Sequence, residues 1–280
     1  MGVNEKIIEK TIYFLAFSAI FILLLITIFI FKEGVPFLFN YGVLKIIFRS
    51  SWSPSDQEFG IFAMIIGSIY ITLGALIVGI PLGVACAIYL CEFAHKRTRL
   101  IIKPTIELLA GIPSVVYGFM GMIVLAPIIR SFLGGSGLSI LSASLVLGIM
   151  ILPTIISISM DSLMALPKTY KEGSIALGAT TWQTVIMVLL PAAKSGIIAG
   201  IILGLGRAIG ETMAVIMIAG NSLKIPVSVL DSTRTMTAGI ALEMGYAIGD
   251  HRMALFAMAV ILFIFILLLN SLVTFIFQKK

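Results

Sequence analysis

Charged residues are scarce in this chain of 280 residues. Asp, Glu, Lys and Arg together make up 11% of it, against about 25% in soluble domains. Hydrophobic residues make up 60%, which excludes an ordinary soluble domain and predicts an integral membrane protein. The formal net charge of +6 does not require a nucleic-acid partner, because basic residues of membrane proteins gather in cytoplasmic loops.

Cysteine and histidine are equally rare, with two of each. Cys86 and Cys91 are five residues apart on a predicted helix, about 140° apart around its axis, so they can neither pair nor share a metal ion. His95 and His251 lie far apart in sequence, beside predicted loops. The sequence therefore shows no catalytic residue, metal site, redox centre or cofactor. The chain also lacks a Gly-Lys dipeptide and with it the phosphate-binding P-loop, so it cannot hydrolyse ATP itself.

Apolar runs of about 20 residues or more predict an all-α membrane protein with six transmembrane helices. We place them near residues 12–31, 60–90, 105–129, 138–160, 192–219 and 253–277. Residues 1–59 would form an N-terminal span and the first external loop, and residues 60–280 a five-helix domain. A polar loop at 161–191 lies inside that domain.

The distribution of Lys and Arg orients these spans. With both termini inside, cytoplasmic segments hold 11 basic residues and external segments seven, while Arg207 lies within a span. The short loop from His95 to Lys103 alone carries four, and short loops dominate this rule. Both termini and residues 161–191 are therefore predicted to be cytoplasmic, in a multi-pass protein of the plasma membrane.

The stretch from Glu172 to Pro191 is a polar, helix-forming segment between two apolar runs. Its first helix should end at Gly178, a natural C-cap. Thr180 followed three residues later by Gln183 predicts a capping box that begins a second helix, and Pro191 is expected to end that helix before the next span. The segment is predicted to be a helix-turn-helix at the membrane surface.

This stretch resembles the EAA loop of ABC-importer permease subunits, whose pattern is E-A-A-x3-G-x9-I-x-L-P. The positions of the pattern are occupied by Glu172, Gly173, Ser174, Gly178, Val188, Leu190 and Pro191. The spacing is complete. Gly173 and Ser174 replace the two alanines and Val188 replaces the isoleucine, all small or isosteric changes.

Two further segments are similar to the permeases of phosphate importers, the PstC family. They are residues 206–215, GRAIGETMAV, with Gly220-Asn221 after them, and residues 109–119, LAGIPSVVYGF. With Trp52 and Phe59-Gly60 ahead of the second span, the similarity covers about residues 52–277. It implies a type I ABC importer (MetI-like) permease fold and import of inorganic phosphate by alternating access.

The resemblance also implies partners. These are a dimer of ATP-binding subunits, a second homologous permease subunit and an external phosphate-binding protein that docks on the loops around residues 40–59 and 221–252. Coupling to the ATPase would fall to Glu172, Gly173, Ser174, Gly178, Leu190 and Pro191. Movement of the ATPase would reach the spans through this loop.

Arg207 and Glu211 are the charges deep within the predicted fifth span, whereas Lys194 lies at its start. Each costs about 2.5–3.5 kcal/mol at mid-bilayer, so both should face the bundle interior. One turn apart on a continuous helix, they could form a purely structural ion pair. Alternatively, Arg207 offers a planar fork to a transported oxyanion, and Glu211 holds that fork while the site is empty.

Small residues recur every four positions in two spans and predict close helix packing. They are Ala75, Gly79, Gly83 and Ala87 in the second span, and Gly196, Gly200, Gly204, Ala208 and Thr212 in the fifth. In the third span, Gly111, Pro113 and Gly118 are expected to loosen or kink the helix.

Other functions remain open. The transported anion could be molybdate, sulfate or phosphonate instead of phosphate. A secondary transporter driven by an ion gradient would want several intramembrane carboxylates, whereas only Glu211 lies deep. An intramembrane hydrolase would need a nucleophile and a base at membrane depth, and both histidines fall outside it.

Overall fold

A computed structural model describes the backbone of residues 3–278 and the side chains of residues 8–275. Its helices are α1 (Val3–Tyr41), α2 (Val43–Phe48), α3 (Phe62–Ile88), α4 (Lys96–Ala110), α5 (Ser114–Met120), α6 (Ala126–Leu133), α7 (Ile140–Met164), α8 (Lys168–Ala176), α9 (Thr181–Thr184), α10 (Leu190–Ala192), α11 (Lys194–Gly210), α12 (Met213–Ile218), α13 (Met236–Glu243) and α14 (Gly249–Gln278). A short antiparallel hairpin pairs β1 (Trp52–Ser53) with β2 (Glu58–Phe59).

Six helical segments of the described chain are long and apolar enough to cross a membrane, as predicted. They are Ile8–Tyr41, Phe62–Phe93, Ser114–Leu133, Ile140–Met164, Thr181–Gly210 and Gly249–Phe275. The all-α membrane fold is thus confirmed, whereas the domain boundary between residues 59 and 60 stays a prediction. The termini that we predicted to be cytoplasmic, residues 1–2 and 279–280, lie outside the described residues.

Helix α7 forms the centre of the bundle, and the two small-residue stripes pack against it. A Cβ atom on Gly79 would lie 2.7 Å from Cδ1 of Ile151, and one on Gly83 would lie 2.7 Å from Cγ2 of Ile155. From α11, a Cβ on Gly204 would lie 3.1 Å from Cγ1 of the same Ile155. The stripes therefore serve close packing, because only the absence of side chains lets α3 and α11 approach α7 this closely.

The N-terminal helix α1 packs along α14. Gly34 lies against the Phe256 backbone, where a Cβ would come within 2.6 Å of the carbonyl oxygen. Edge-to-face contacts of Phe29 with Phe256 and of Phe31 with Phe263, with ring centroids 5.5 Å and 5.7 Å apart, extend this interface. The first span is thereby attached to the last.

The third span begins later than predicted. We expected it to start near residue 105, but residues 96–110 form the separate helix α4, and the span begins at Ser114. Pro113 has no backbone N–H and precedes α5 with an extended ψ of 138°, so the two helices cannot merge. The predicted weakness at Gly111 and Pro113 is confirmed as a complete break.

The fifth span is shifted in the opposite direction. It runs from Thr181 to Gly210 instead of 192–219, because the helix passes through Pro191 without ending. Pro191 lies in the first turn of α10, where a missing N–H is tolerated. A π-helical turn at Val185–Leu189 joins α9 to α10, and similar turns occur at Tyr89–Phe93 and Gly121–Leu125.

Candidate functional site

The end of the fifth span is a break in the helix at Glu211. Helix α11 stops at Gly210, and Glu211 adopts an extended conformation with φ −69° and ψ 130°. Its Oε1 accepts a hydrogen bond from the Ala214 amide at 3.1 Å, and its carbonyl oxygen accepts one from Oγ1 of Thr237 at 3.0 Å. Both contacts satisfy backbone groups that the interrupted helix would otherwise leave without partners.

The predicted ion pair between Arg207 and Glu211 is therefore wrong for this conformation. The break takes Glu211 off the helical face of Arg207, so the two side chains are no longer one turn apart. Among the side chains that the structure describes, no acidic group lies within ion-pair distance of Arg207. Thr212, the last member of the predicted stripe, likewise lies beyond the end of α11.

The helices that follow two breaks in the bundle, α5 and α12, pack against each other. The Tyr117 hydroxyl of α5 donates to the Leu109 carbonyl of α4 at 2.9 Å, across the Gly111–Pro113 break. A Cβ on Gly118 would lie 2.8 Å from Cα of Ala214, which brings α5 against α12. The half-buried guanidinium of Arg207 thus lies in the last turn of α11, directly ahead of the break at Glu211.

The polar loop has the local structure that the sequence predicts. Helix α8 ends at Ala176, and Gly178 turns the chain with a φ of +87°, which favours glycine. Thr180 and Gln183 form the predicted capping box. Oγ of Ser174 and Oγ1 of Thr184 are 3.0 Å apart, which holds α8 against the start of the fifth span.

The outer face of this loop is exposed and partly apolar. Glu172 and Gly173 are exposed, and so are Ile175 and Leu177, the latter at 90% of its surface. Leu190 and Pro191 lie farther along, in the helical stretch Thr181–Gly210, and their part in coupling stays a prediction. The loop itself presents a small knob with one acidic and two large apolar side chains.

An ion pair that we did not predict ties the loop to the second span. Nζ of Lys171 lies 2.6 Å from Oε2 of Glu92, whose side chain is only 12% exposed. Next to this pair, the Phe93 and Trp182 rings contact each other with centroids 6.3 Å apart. A sequence signal existed, since Glu92 is the single carboxylate between Glu58 and Glu107.

A second unpredicted cluster surrounds Glu243, which is 7% exposed. Its Oε1 accepts from Nη1 of Arg234 at 2.6 Å, and its Oε2 accepts from Nε1 of Trp52 at 2.8 Å. Nε2 of His251 lies 2.8 Å from the same Oε2. We call these four residues the Glu243 cluster. The cluster joins the hairpin to α13 and to the start of α14. The two loop regions that are predicted to be external are therefore in contact with each other.

Comparisons with known proteins agree with these features. Residues 79–280 match the family described as binding-protein-dependent transport system inner membrane component. A probable ABC transporter permease, YqgH of Bacillus subtilis (strain 168), is 43% identical over 258 residues, 88% of this chain and 84% of the relative. The phosphate transport system permease protein PstC of Mesorhizobium japonicum is 36% identical over 250 residues, 82% of this chain and 76% of the relative.

The fold also matches solved ABC importers. The inward-facing MetNI methionine ABC transporter superposes with a TM-score of 0.59 at 20% identity, covering 79% of this chain and 94% of that one. This confirms the MetI-like permease fold, and the sequence matches agree with it over most of the chain. The protein therefore belongs to the binding-protein-dependent transport system inner membrane components, the permease subunits of ABC importers.

Proposed function

We propose that this permease carries inorganic phosphate inward and that Arg207 contacts the anion on its path. The observation that carries the proposal is a guanidinium at the broken end of the fifth span with no acidic partner among the described side chains. A cation left unpaired within a membrane-spanning helix is costly unless an anion binds it. The similarity to phosphate permeases makes phosphate the first candidate.

Glu211 has a different role from the one that the sequence suggested. Because its carboxylate accepts from the Ala214 amide, it maintains the break between α11 and α12 and does not neutralise Arg207. Its negative charge near the path would repel an anion in the absence of Arg207. Arg207 is thus the attractive element, and Glu211 shapes the backbone around it.

Energy would enter through the loop. In this proposal a separate ATPase subunit contacts Glu172, Ile175 and Leu177, which are exposed. The ion pair of Lys171 with Glu92 then links the movement of α8 to the cytoplasmic end of the second span. A second permease subunit completes the path, and an external phosphate-binding protein delivers the anion to the surface joined by the Glu243 cluster.

The test is uptake of labelled phosphate by cells or vesicles that contain the assembled transporter. Arg207→Lys keeps the charge but removes the two-pronged geometry, and Arg207→Gln removes both. We expect both variants to assemble and to lose most uptake, with Gln the more severe. Lys194→Gln is the matched control, because it removes a cation from the same helix about 20 Å away along the axis.

Wild-type uptake by Arg207→Gln would refute a role for Arg207 in anion binding. Competition by sulfate, molybdate and phosphonate against labelled phosphate tests the alternative substrates. The alternative has support because one relative, at 43% identity, is described as a probable ABC transporter permease without a substrate. Stronger inhibition by one of these anions than by unlabelled phosphate would reassign the substrate while leaving the permease function intact.

A further inference from the structure

Helix α4 lies across the ends of two spans, on the side that carries the polar loop. Ile106 is buried in a cluster with Ala87 and Leu90 from the end of the second span and Ile156 and Met160 from the end of the fourth. The opposite side of α4 is exposed. The helix is therefore amphipathic and anchored on one face, at the level where the spans leave the bilayer.

A basic groove runs along α4 at the edge of its buried face, beside Met164 at the end of α7. It is lined by Lys96, Arg99, Leu100, Lys103, Pro104 and Met164, and its volume is about 350 Å³. At about 100° per residue, the three cations fall within about 60° of one another around the helix axis. Their positive charges are thus concentrated on one strip of the helix surface.

Acidic side chains balance only part of this charge. Nζ of Lys103 lies 4.0 Å from Glu107 and 3.9 Å from Asp161, both of which are exposed and weakly paired at such distances. Within the described part of the chain, no acidic group is in ion-pair distance of Lys96 or Arg99. Lys96 and Arg99, whose Nη2 contacts Sδ of Met164, are therefore without a carboxylate partner and available to an anion.

Apolar side chains continue the groove on one flank. Leu100, Ile101 and Leu108 are exposed at 66%, 70% and 74%. Around the helix they follow the cationic strip on the side away from the buried Ile106, and the exposed Arg97 lies between Leu100 and Ile101. An ion without a hydrocarbon tail would leave this apolar wall uncovered, whereas a phospholipid can place its phosphate on the cations and an acyl chain on the leucine side.

We propose that this groove binds an anionic phospholipid, with the headgroup phosphate between Lys96 and Arg99 and an acyl chain along Leu100. The proposal rests on the membrane placement of α4 and not on the identity of the transported anion. A bound lipid would fix α4 against the ends of the second and fourth spans, next to the break at Gly111–Pro113.

The experiment measures lipids retained by the purified full-length protein from mixed phosphatidylglycerol and phosphatidylcholine nanodiscs, by native mass spectrometry. The test variant carries Lys96→Gln, Arg99→Gln and Lys103→Gln. Its matched control carries Lys45→Gln, Lys224→Gln and Arg252→Gln, three cations outside the groove. We expect the preference for phosphatidylglycerol to fall by about a hundredfold in the test variant and to persist in the control.

A further variant, Lys96→Arg with Lys103→Arg, keeps the charges and should keep the preference, which separates charge loss from misfolding. Equal retention by the test variant and the wild type would overturn the proposal. So would full displacement of phosphatidylglycerol by inorganic phosphate, since the groove would then hold a free anion. Loss of the ATPase subunit from the test variant, with lipid retention unchanged, would identify a protein contact instead and would also overturn it.

Discussion

Replacing Glu243 by leucine should be among the most damaging single changes outside the anion path. The substitution leaves Nη1 of Arg234 and Nε1 of Trp52 without acceptors in a region that is almost closed to solvent. The Arg234 side chain is 15% exposed, and its Nε already has no partner among the described groups. The variant would thus bury a guanidinium with neither a counter-charge nor a hydrogen-bond acceptor.

Breaking a buried ion pair by removing one partner costs about 3–5 kcal/mol. An orphaned buried donor such as Trp52 Nε1 costs about 1–3 kcal/mol, although the two penalties overlap because they share one carboxylate. We expect about 4 kcal/mol in total. For a chain of this size, each kcal/mol lowers Tm by roughly 2–4 °C, so Glu243→Leu should lower it by about 8–16 °C.

The assay is thermal unfolding of the detergent-solubilised transporter, followed by intrinsic fluorescence. Glu243→Gln keeps the shape and one acceptor oxygen and should cost about half as much as Glu243→Leu. The double variant Arg234→Met with Glu243→Leu removes both charges and should be more stable than Glu243→Leu alone. A Tm for Glu243→Leu within about 1 °C of wild type, or a double variant less stable than both singles, would refute the reasoning.

Three other predictions concern packing, orientation and coupling. Gly83→Ala should lower stability by about 1–3 kcal/mol, because its Cβ would lie 2.7 Å from Ile155, whereas Gly206→Ala, where nothing lies within 4 Å, should have little effect in the same unfolding assay. With Cys86 and Cys91 replaced, an impermeant thiol reagent outside intact cells should label Ser228→Cys and not Ser174→Cys. Labelling of Ser174→Cys alone would show that the orientation in the membrane is the reverse of the predicted one. Lys171→Glu should lower phosphate uptake per ATP hydrolysed, and the double variant Lys171→Glu with Glu92→Lys should recover part of that uptake. Equal uptake per ATP by the wild type, the single variant and the double variant would show that the ion pair does not contribute to coupling.

Local sequence signals predicted the polar loop well. Gly178 and the pair Thr180 and Gln183 act on backbone groups within three residues, so their positions alone determine the turn and the cap. The small-residue stripes were equally readable, because a repeat of four residues marks one face of a helix. Sequence could not show that both stripes contact one helix, α7, since that depends on how the spans assemble.

The errors arose where distant residues decide the outcome. The apolar run from Lys194 to Ile218 contains no proline, yet the helix breaks at Glu211, whose carbonyl accepts from Thr237, 26 residues away. At Pro191 the sequence predicted a helix end that the structure does not have. A proline usually ends a helix, whereas Pro191 lies in a first turn that follows a π-helical turn. The Glu243 cluster brings together Trp52 and Glu243, 191 residues apart, which no local pattern reveals.

The π-helical turn at Val185–Leu189 determines where the fifth span can lose a residue without changing the orientation of the residues that follow. A π-helical turn holds one residue more than an α-helical turn, so the spacing from Gly178 to Pro191 includes a residue that a regular helix would not need. Deleting one residue from this turn would restore an α-helix and leave the flanking helices in register. The same deletion within α11, ahead of Arg207, would rotate the guanidinium by about 100° and move it by about 1.5 Å along the axis.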